Sequence, residues 1–315
     1  MDIANKKILV TGGKGFFGSY ILEELVARGV PATNIFALGS TDCDLTNLED
    51  TMRIFNQIQP NIVIHAAAKV GGIGYNVKYP TAIFRDNIKM ALNILDAAVA
   101  TKLDKLVIVG SACMYPGALT GNFKEEDLLN GPLHPTVEVY GFSKRALLLG
   151  ARAYHKEFGL PYGFVVPTNL YGPRDTFDPD RSHVVSALIR KFADAVLDKK
   201  PEVVCWGTGV AVREFIFASD AASAVVGLIE KDYVEPLNIG TGIGTSIKEL
   251  AELTAKLTNF QGKIVWDDTK PDGALRKVLD ITRMKSVLNL EPKVSLEDGL
   301  KRTIDWYIAH RAELK

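Results

Sequence analysis

Short apolar runs and longer segments with helical periodicity take turns along the first half of the chain. Each run has the length of a strand, and in the following segment apolar residues recur every three to four positions, as on a helix with one buried face. The pattern predicts strands at 7–11, 35–38, 61–67, 105–110 and 161–167, and helices after a glycine-rich loop up to residue 28 and at 48–58, 82–100 and 139–158. Without hairpin signals between the strands, this alternation favours βαβ units and a buried parallel sheet.

The pattern changes beyond about residue 173, where a polar loop covers 174–182. It then predicts helices at 183–196, 219–230, 246–257 and 296–310 and strands at 202–206, 213–217, 237–240 and 263–266. No internal repeat, low-complexity segment or flexible linker is visible. We therefore expect an α/β fold: a Rossmann-like doubly wound parallel sheet at 1–173 and a smaller C-terminal α/β substrate lobe at 174–315, with segments around 213–240 returning to the first domain.

Composition and charge exclude several classes of protein. The chain has 37 basic and 37 acidic residues, so no net field attracts nucleic acid or an acidic membrane. It has no run of the ~18 apolar residues that a membrane helix needs, and its start lacks a signal-peptide core, so we expect a cytoplasmic protein. Cys43, Cys113 and Cys205 are too scattered for a disulfide framework or a metal site, and each is either buried filler or a reactive thiol.

A glycine-rich loop follows the first predicted strand and opens the first helix. Gly12, Gly15 and Gly18 stand three residues apart. Glycine permits the tight turn and the close approach of a pyrophosphate, and the helix N-terminus offers free N–H groups to the phosphates. The sequence therefore predicts a dinucleotide site, with contacts from Gly12, Gly13, Lys14, Gly15, Phe16, Phe17 and Gly18.

The end of the second strand bears on the choice between NAD and NADP. An NAD site usually carries an acidic residue there for the ribose 2′-hydroxyl. Residues 37–41, Ala-Leu-Gly-Ser-Thr, carry neither an acid nor an arginine. Lys14 can pair with a 2′-phosphate and Ser40 can hydrogen-bond it, so the sequence favours NADP; the alternative for Lys14 is an exposed loop lysine.

Tyr140 and Lys144 form a Y-x-x-x-K pair at the start of a long helix. The i,i+4 spacing puts both side chains on one helix face. A nearby ammonium lowers the pKa of a phenol, so we expect Tyr140 to exchange a proton near neutral pH. Ser111 follows the fourth strand, where its hydroxyl can polarise a ketone oxygen beside the tyrosine.

Cys113 and His183 are candidates for proton transfer at carbon. Epimerisation next to a ketone needs a base on one face of the ring and an acid on the other, and a thiol and an imidazole titrate in the useful range. Taken alone, Cys113 also fits a small buried hydrophobe, and His183 a polar residue at a helix start.

Together these motifs resemble the GDP-L-fucose synthase family, within the extended short-chain dehydrogenase/reductase superfamily. The resemblance covers roughly residues 6–307 and is carried by TGGKGFFG, HAAAKVGGIGYN, GSACMYP, GPLHPTVEVYGFSK, PTNLYGPRDTFDPDRSHV, WGTG with REF, and KPDG. The family consists of NADPH-dependent 3,5-epimerase/4-reductases of GDP-4-keto-6-deoxy-D-mannose. Ala112, Lys191 and the missing arginine at the second strand depart from the family pattern.

The resemblance implies a role for each matching residue. Tyr140, Lys144 and Ser111 would form the reductase group, Cys113 would be the epimerisation base, and His183 the acid. Further cofactor contacts would come from Asp44, Leu45, Ala67, Gly110, Lys144, Pro167, Asn169, Leu170 and His183. The GDP-sugar would be held by Asn169, Lys191, Trp206, Arg213 and Asp272.

Apolar residues on more than one face of helices 82–100 and 139–158 add the expectation of a homodimer, with burial inside one monomer as the alternative. Two other functions stay open. The chain could act on a related GDP-4-keto sugar, such as a colitose or 6-deoxyheptose precursor, or epimerise alone with tightly held NAD. It could also be a catalytically silent nucleotide-sensing protein, although such proteins usually lack the Tyr–Lys pair.

Overall fold

A computed structural model describes residues 2–314, and a six-stranded parallel sheet lies at its centre. The strands of the chain are β1 (Ile8–Thr11), β2 (Ile35–Leu38), β3 (Ile62–His65), β4 (Lys105–Val109), β5 (Tyr162–Pro167), β6 (Asn169–Tyr171), β7 (Glu202–Trp206), β8 (Val212–Phe217), β9 (Pro236–Ile239), β10 (Gly244–Ser246), β11 (Lys263–Asp267) and β12 (Arg276–Lys277). The central order is β2-β1-β3-β4-β5-β9. β2 lies on one side of β1 and β3 lies on the other, so the strand order changes direction at this point. The change opens a crevice at the carboxyl ends of β1 and β3.

Helices cover both faces of this sheet. They are α1 (Phe16–Ala27), α2 (Leu48–Ile58), α3 (Ile73–Lys78), α4 (Pro80–Ala100), α5 (Glu138–Phe158), α6 (Val184–Leu197), α7 (Ala218–Ile229), α8 (Ile247–Leu257), α9 (Thr282–Leu288) and α10 (Leu296–His310). Side chains alternate along β1: Ile8 and Val10 join the apolar core shared with α1 and α7, whereas Leu9 joins the core shared with α2, α4 and α5. Because both faces of the sheet are buried, its strands appear in the sequence as continuous apolar runs.

The second half returns once to the central sheet and otherwise builds two small sheets. β9 pairs with β5, and α7 packs on α1. β6, β8, β10 and β12 form one small sheet, in which β10 and β8 are antiparallel, and β7 pairs with β11 in the other. The Rossmann-like sheet is confirmed. Sequence patterns missed α3, α9, β6, β10 and β12 because these elements are too short to show a period.

Within residues 2–314, no helix combines the length and the apolar character needed to cross a bilayer.

Candidate active site

One large cavity opens at the carboxyl ends of β1, β3, β4 and β5 and continues to the start of α6 and the β7–β11 sheet. Its volume is about 1660 Å³, above the range of roughly 300–1,000 Å³ for a site that holds one small ligand. It has room for two ligands end to end. All of the residues predicted from the sequence line it except Gly13.

The glycine loop is shaped by contacts that exclude any side chain. Gly12 has a φ of +71°, and a Cβ there would lie 2.9 Å from the Ala67 nitrogen. A Cβ on Gly18 would lie 2.0 Å from the Gly12 oxygen. No side chain caps the start of α1 at Gly15 and no acidic residue stands in its first turn, so the free N–H groups and the helix dipole can receive an anion. The loop therefore fits a dinucleotide pyrophosphate.

Gly13 differs from the other glycines of the loop because it packs against the sheet. Its N–H donates to the carbonyls of Val10 (3.1 Å) and Leu38 (3.0 Å). A Cβ would meet the Val10 oxygen at 2.8 Å and the Ala37 Cα at 2.9 Å. Gly13 thus packs the loop against β1 and β2 and does not line the cavity, and its contact with the cofactor stays a prediction.

An ion pair that the sequence analysis missed lies beside the second strand. The Lys14 ammonium is 2.6 Å from the Asp42 carboxylate, which also accepts the Gly39 N–H at 2.7 Å. The Lys14 hydrogen bond, more than any other contact, holds the pKa of Asp42 below its usual value. Asp42 does not line the cavity, whereas Lys14, Ser40 and Asp44 do. The acid therefore fixes the loop lysine at the cavity edge.

Tyr140 and Lys144 are both buried in the wall of the cavity. The Lys144 ammonium donates to the Val109 carbonyl at 2.8 Å, and burial lowers its pKa to about 8. The pKa of Tyr140 is raised, mainly by burial and next by the Cys113 thiolate, and the Ser111 hydrogen bond counteracts both. The expectation that Lys144 lowers this pKa is wrong because burial dominates. Tyr140 therefore keeps its proton and is suited to donate it.

The turn after β4 places Cys113 against the start of α5. The Ser111 hydroxyl accepts the Cys113 N–H at 3.1 Å and so caps this turn. A Cβ on Gly141 would lie 2.3 Å from the Cys113 oxygen, so only glycine allows the helix to approach this closely. As a result the half-buried Cys113 lies next to Tyr140, whereas Cys43 and Cys205 are buried.

His183 stands at the N-cap of α6, and its side chain makes no capping bond. Both His183 and the buried Asp175 line the cavity. Asp175 accepts a hydrogen bond from Ser186 in the first turn of α6. Burial raises the pKa of Asp175, while Ser186 and the charge of His183 oppose this rise. Sequence analysis missed Asp175 because the polar loop that carries it has no periodicity.

Trp206 and two lysines form an exposed aromatic platform at the far end of the cavity. The Trp206 side chain is 58% exposed. The ammonium groups of Lys191 and Lys270 lie 5.4 and 5.8 Å from its ring centroid, and Lys191 also donates to the Val204 carbonyl at 2.8 Å. Such a platform can stack a flat base next to positive charge.

Arg213 lies on β8, and burial lowers its pKa while Cys113 and Asp272 oppose that change. Its guanidinium donates to the Asp272 carbonyl at 3.0 Å. The Asp272 carboxylate accepts the Thr208 N–H at 2.8 Å and the Thr208 hydroxyl at 2.7 Å. Asp272 therefore holds the loop after Trp206. Asn169 donates to the Glu214 carbonyl at 2.8 Å, which ties β6 to β8.

Among the cavity residues that were not singled out in the sequence are His134, Thr136 and Lys277. His134 and Thr136 precede α5, whereas Lys277 lies in β12, and no spacing rule connects these two segments. Only the folded chain brings them to the Cys113 side of the cavity.

A Rossmann sheet whose glycine loop shares a cavity with a buried Tyr–Lys pair defines a dinucleotide-dependent oxidoreductase. Residues 8–240 match the model of the NAD dependent epimerase/dehydratase family. The chain belongs to that family.

Comparisons with named relatives show which enzymes of this family the chain resembles. The chain is 41% identical over 304 residues to the probable GDP-L-fucose synthase 1 of Oryza sativa, covering 96% of this chain and 92% of the relative. A GDP-L-fucose synthetase of Naegleria fowleri bound to NADP superimposes with a TM-score of 0.91 at 27% identity, covering 99% and 97% of the two chains. A GDP-6-OMe-4-keto-L-xylo-heptose reductase of C. jejuni gives 0.90 at 28% identity, covering 98% and 99%. Within its family the chain therefore groups with the GDP-L-fucose synthases.

Proposed function

We propose that this chain carries out the NADPH-dependent 3,5-epimerisation and 4-keto reduction of GDP-4-keto-6-deoxy-D-mannose to GDP-L-fucose. One observation carries the proposal: Cys113 and His183, from different halves of the chain, line the same cavity as Tyr140 and the glycine loop. Similarity to GDP-L-fucose synthases supports the substrate. We also propose that 1–173, with segments returning from 213–240, hold the cofactor and the rest of 174–315 the sugar nucleotide.

NADPH, when bound, supplies the hydride for C4. The loop at 12–18 would hold its pyrophosphate through free N–H groups, and Lys14 with Ser40 would take the 2′-phosphate. Lys144 would hold the nicotinamide ribose. The remaining proposed contacts are Asp44, Leu45, Ala67, Gly110, Pro167, Asn169, Leu170 and His183, all of which line the cavity.

Epimerisation needs a base and an acid on opposite faces of the sugar. The C4 ketone acidifies the hydrogens at C3 and C5, and the Cys113 thiolate removes each in turn as its S–H bond forms. The electron pair moves onto the ketone oxygen, where the Ser111 and Tyr140 hydroxyls stabilise the enolate. His183 then delivers a proton to the opposite face of the carbon, which inverts it. The Cys113 thiol gives its proton to solvent and His183 takes one up before the second carbon reacts.

Reduction uses the same tyrosine as an acid. As C4 gains hydride, Tyr140 gives its phenolic proton to the oxygen, and burial keeps this proton in place until then. The Lys144 ammonium, 6.0 Å from the centre of the tyrosine ring, stabilises the phenolate that remains. Tyr140 thus serves both the enolate, together with Ser111, and the alkoxide, together with Lys144.

The GDP part of the substrate needs positive charge from a protein with no net charge. Arg213 and Lys191 supply it at the cavity, and an arginine can contact two phosphate oxygens at once. Trp206 would stack on the guanine. Asp272 and Asn169 support this region through the loop after Trp206 and through the β6–β8 pairing.

One assay tests the proposed function. The wild-type protein is incubated with NADPH and GDP-4-keto-6-deoxy-D-mannose in deuterated water. We expect loss of nicotinamide absorbance, deuterium at C3 and C5, and GDP-L-fucose as the product identified by NMR. Reduction without deuterium incorporation at C3 and C5 would show that the protein is a 4-reductase and not an epimerase.

A related GDP-4-keto sugar is the second candidate substrate, because a heptose reductase superimposes nearly as well as the fucose synthetase. Running the same assay with a GDP-4-keto-heptose separates the two by kcat/KM. A protein that binds NADPH but turns over neither sugar would be the catalytically silent sensor.

The surface formed by α4 and α5 supports a homodimer. Leu95, Leu147 and Leu148 are buried within the monomer, but a separate apolar face is exposed. This face, formed by Phe84 and Leu92 of α4 with Phe142 and Leu149 of α5, has each side chain at least 44% exposed. Such a contiguous face is typical of a protein–protein contact. We also propose a cytoplasmic location, since three free cysteines fit a reducing compartment.

A further inference from the structure

We infer that His134 is a sugar-binding residue, which donates a hydrogen bond from its Nε2–H to an oxygen of the hexose beside Cys113. The inference rests on the proposed function, because it names a contact to the sugar of that substrate. It concerns a side chain that neither proton transfer nor cofactor binding uses.

The backbone fixes His134 next to the segment that carries Cys113. The Gly117 N–H donates to the Pro132 carbonyl at 3.0 Å, and Pro116 forms a β-bridge with Leu133. A Cβ on Gly117 would lie 2.8 Å from the His134 Cα. Because the two segments touch through backbone atoms, His134 has little freedom to move away from the Cys113 turn.

Its hydrogen bonds fix the tautomer of the imidazole. The Thr136 N–H donates to Nδ1 at 3.3 Å, and the Thr136 hydroxyl lies 2.8 Å from the same nitrogen. A backbone N–H can only donate, so Nδ1 must be an acceptor and the neutral ring carries its proton on Nε2. Among residues 2–314, no hydrogen bond to Nε2 is present.

The surroundings keep this ring neutral. Burial lowers the pKa of His134, and the charges of Lys277 and Arg213 lower it further. These two residues are register partners on β12 and β8. Arg213 also interacts with Cys113, so the four side chains converge on one part of the cavity. A neutral N–H beside two cations suits a hydroxyl or ring oxygen, whereas the cations suit the diphosphate.

Two substitutions separate the proposed Nε2–H donor of His134 from its Nδ1 acceptor, which caps the turn at Pro135–Val137. His134→Asn keeps an acceptor near the Nδ1 position and remains a good cap for the 135–137 turn, but it has no group at the Nε2 position. His134→Gln places an amide N–H near the Nε2 position instead. Wild type and both variants are compared by KM for GDP-4-keto-6-deoxy-D-mannose, Kd for GDP alone, and thermal unfolding.

We expect His134→Asn to raise KM for the keto sugar about tenfold, the usual effect of one lost hydrogen bond. The Kd for GDP should stay unchanged because GDP lacks the hexose, and His134→Gln should regain most of the affinity. An unchanged KM in His134→Asn, an equal loss in both variants, or weaker GDP binding would each overturn the inference. An inactive wild type would overturn the proposed function and this inference with it, whereas an active wild type with an unaffected His134→Asn overturns this inference alone.

Discussion

The buried ammonium of Lys144 makes the stability of the folded protein depend on pH. Its pKa in the folded chain is about 8, because burial disfavours the charge, against 10.5 for an exposed lysine. Between these two values the unfolded chain binds more protons than the folded one. The free energy of unfolding therefore rises with pH across this window, as the cost of burying the charge disappears.

The size of the effect follows from the difference between the two pKa values. One pKa unit corresponds to about 1.4 kcal/mol, so the whole window amounts to roughly 3 kcal/mol. In the folded chain the Lys144 ammonium keeps one hydrogen bond, to the Val109 carbonyl. Lys144→Met replaces the ammonium with an apolar group of similar length and removes the titration.

Urea unfolding of wild type and Lys144→Met at several pH values between 7 and 10.5 measures this contribution. We expect the stability of wild type relative to the variant to rise by about 3 kcal/mol across the range, with the rise beginning near pH 8. In the difference between the two free energies of unfolding at each pH, the contributions of all groups that titrate equally in both proteins cancel. Parallel curves would refute the assignment of a buried, charged lysine at this position.

Two further outcomes follow from packing. Gly18→Ala should weaken NADPH binding at least tenfold and destabilise the fold by about 1–3 kcal/mol, because its Cβ would lie 2.0 Å from backbone; Gly227→Ala in α7, where the nearest atom is 3.5 Å away, should keep binding in the same titration. Phe142→Lys should turn a dimer into a monomer with a light-scattering mass near 34.4 kDa, whereas a wild-type monomer at micromolar concentration would contradict the proposed interface.

The central sheet could be predicted because each of its strands is a mostly apolar run, and in each helix apolar residues recur every three to four positions over several turns. β2, α2 and β7 begin and end where the pattern predicts, and the Asn47 side chain caps α2. The glycine loop and the Tyr–Lys pair are local motifs, so the spacing of their residues along the chain largely determines their geometry. The short strands β6 and β10 have no such signal, since each has only three residues.

The electrostatics of the site could not be predicted in the same way. Lys144 follows Tyr140 by one helical turn, yet the pKa of Tyr140 rises because Tyr140 itself is buried, and burial depends on the whole fold. Likewise Asp42 belongs to the loop after β2, and only its approach to Lys14 gives it a role. Residue spacing indicates which groups meet, whereas the surrounding solvent and charge decide their protonation.

The central claim is that the Cys113 thiol and the His183 imidazole act on opposite faces of one hexose. Deuterium exchange at C3 and C5 of GDP-4-keto-6-deoxy-D-mannose, measured by NMR without NADPH, tests it most directly. Cys113→Ser should bind NADPH normally and lose the exchange, while Cys205→Ala, which removes a buried thiol of β7, should retain it. Full exchange at both carbons in Cys113→Ser would contradict the claim.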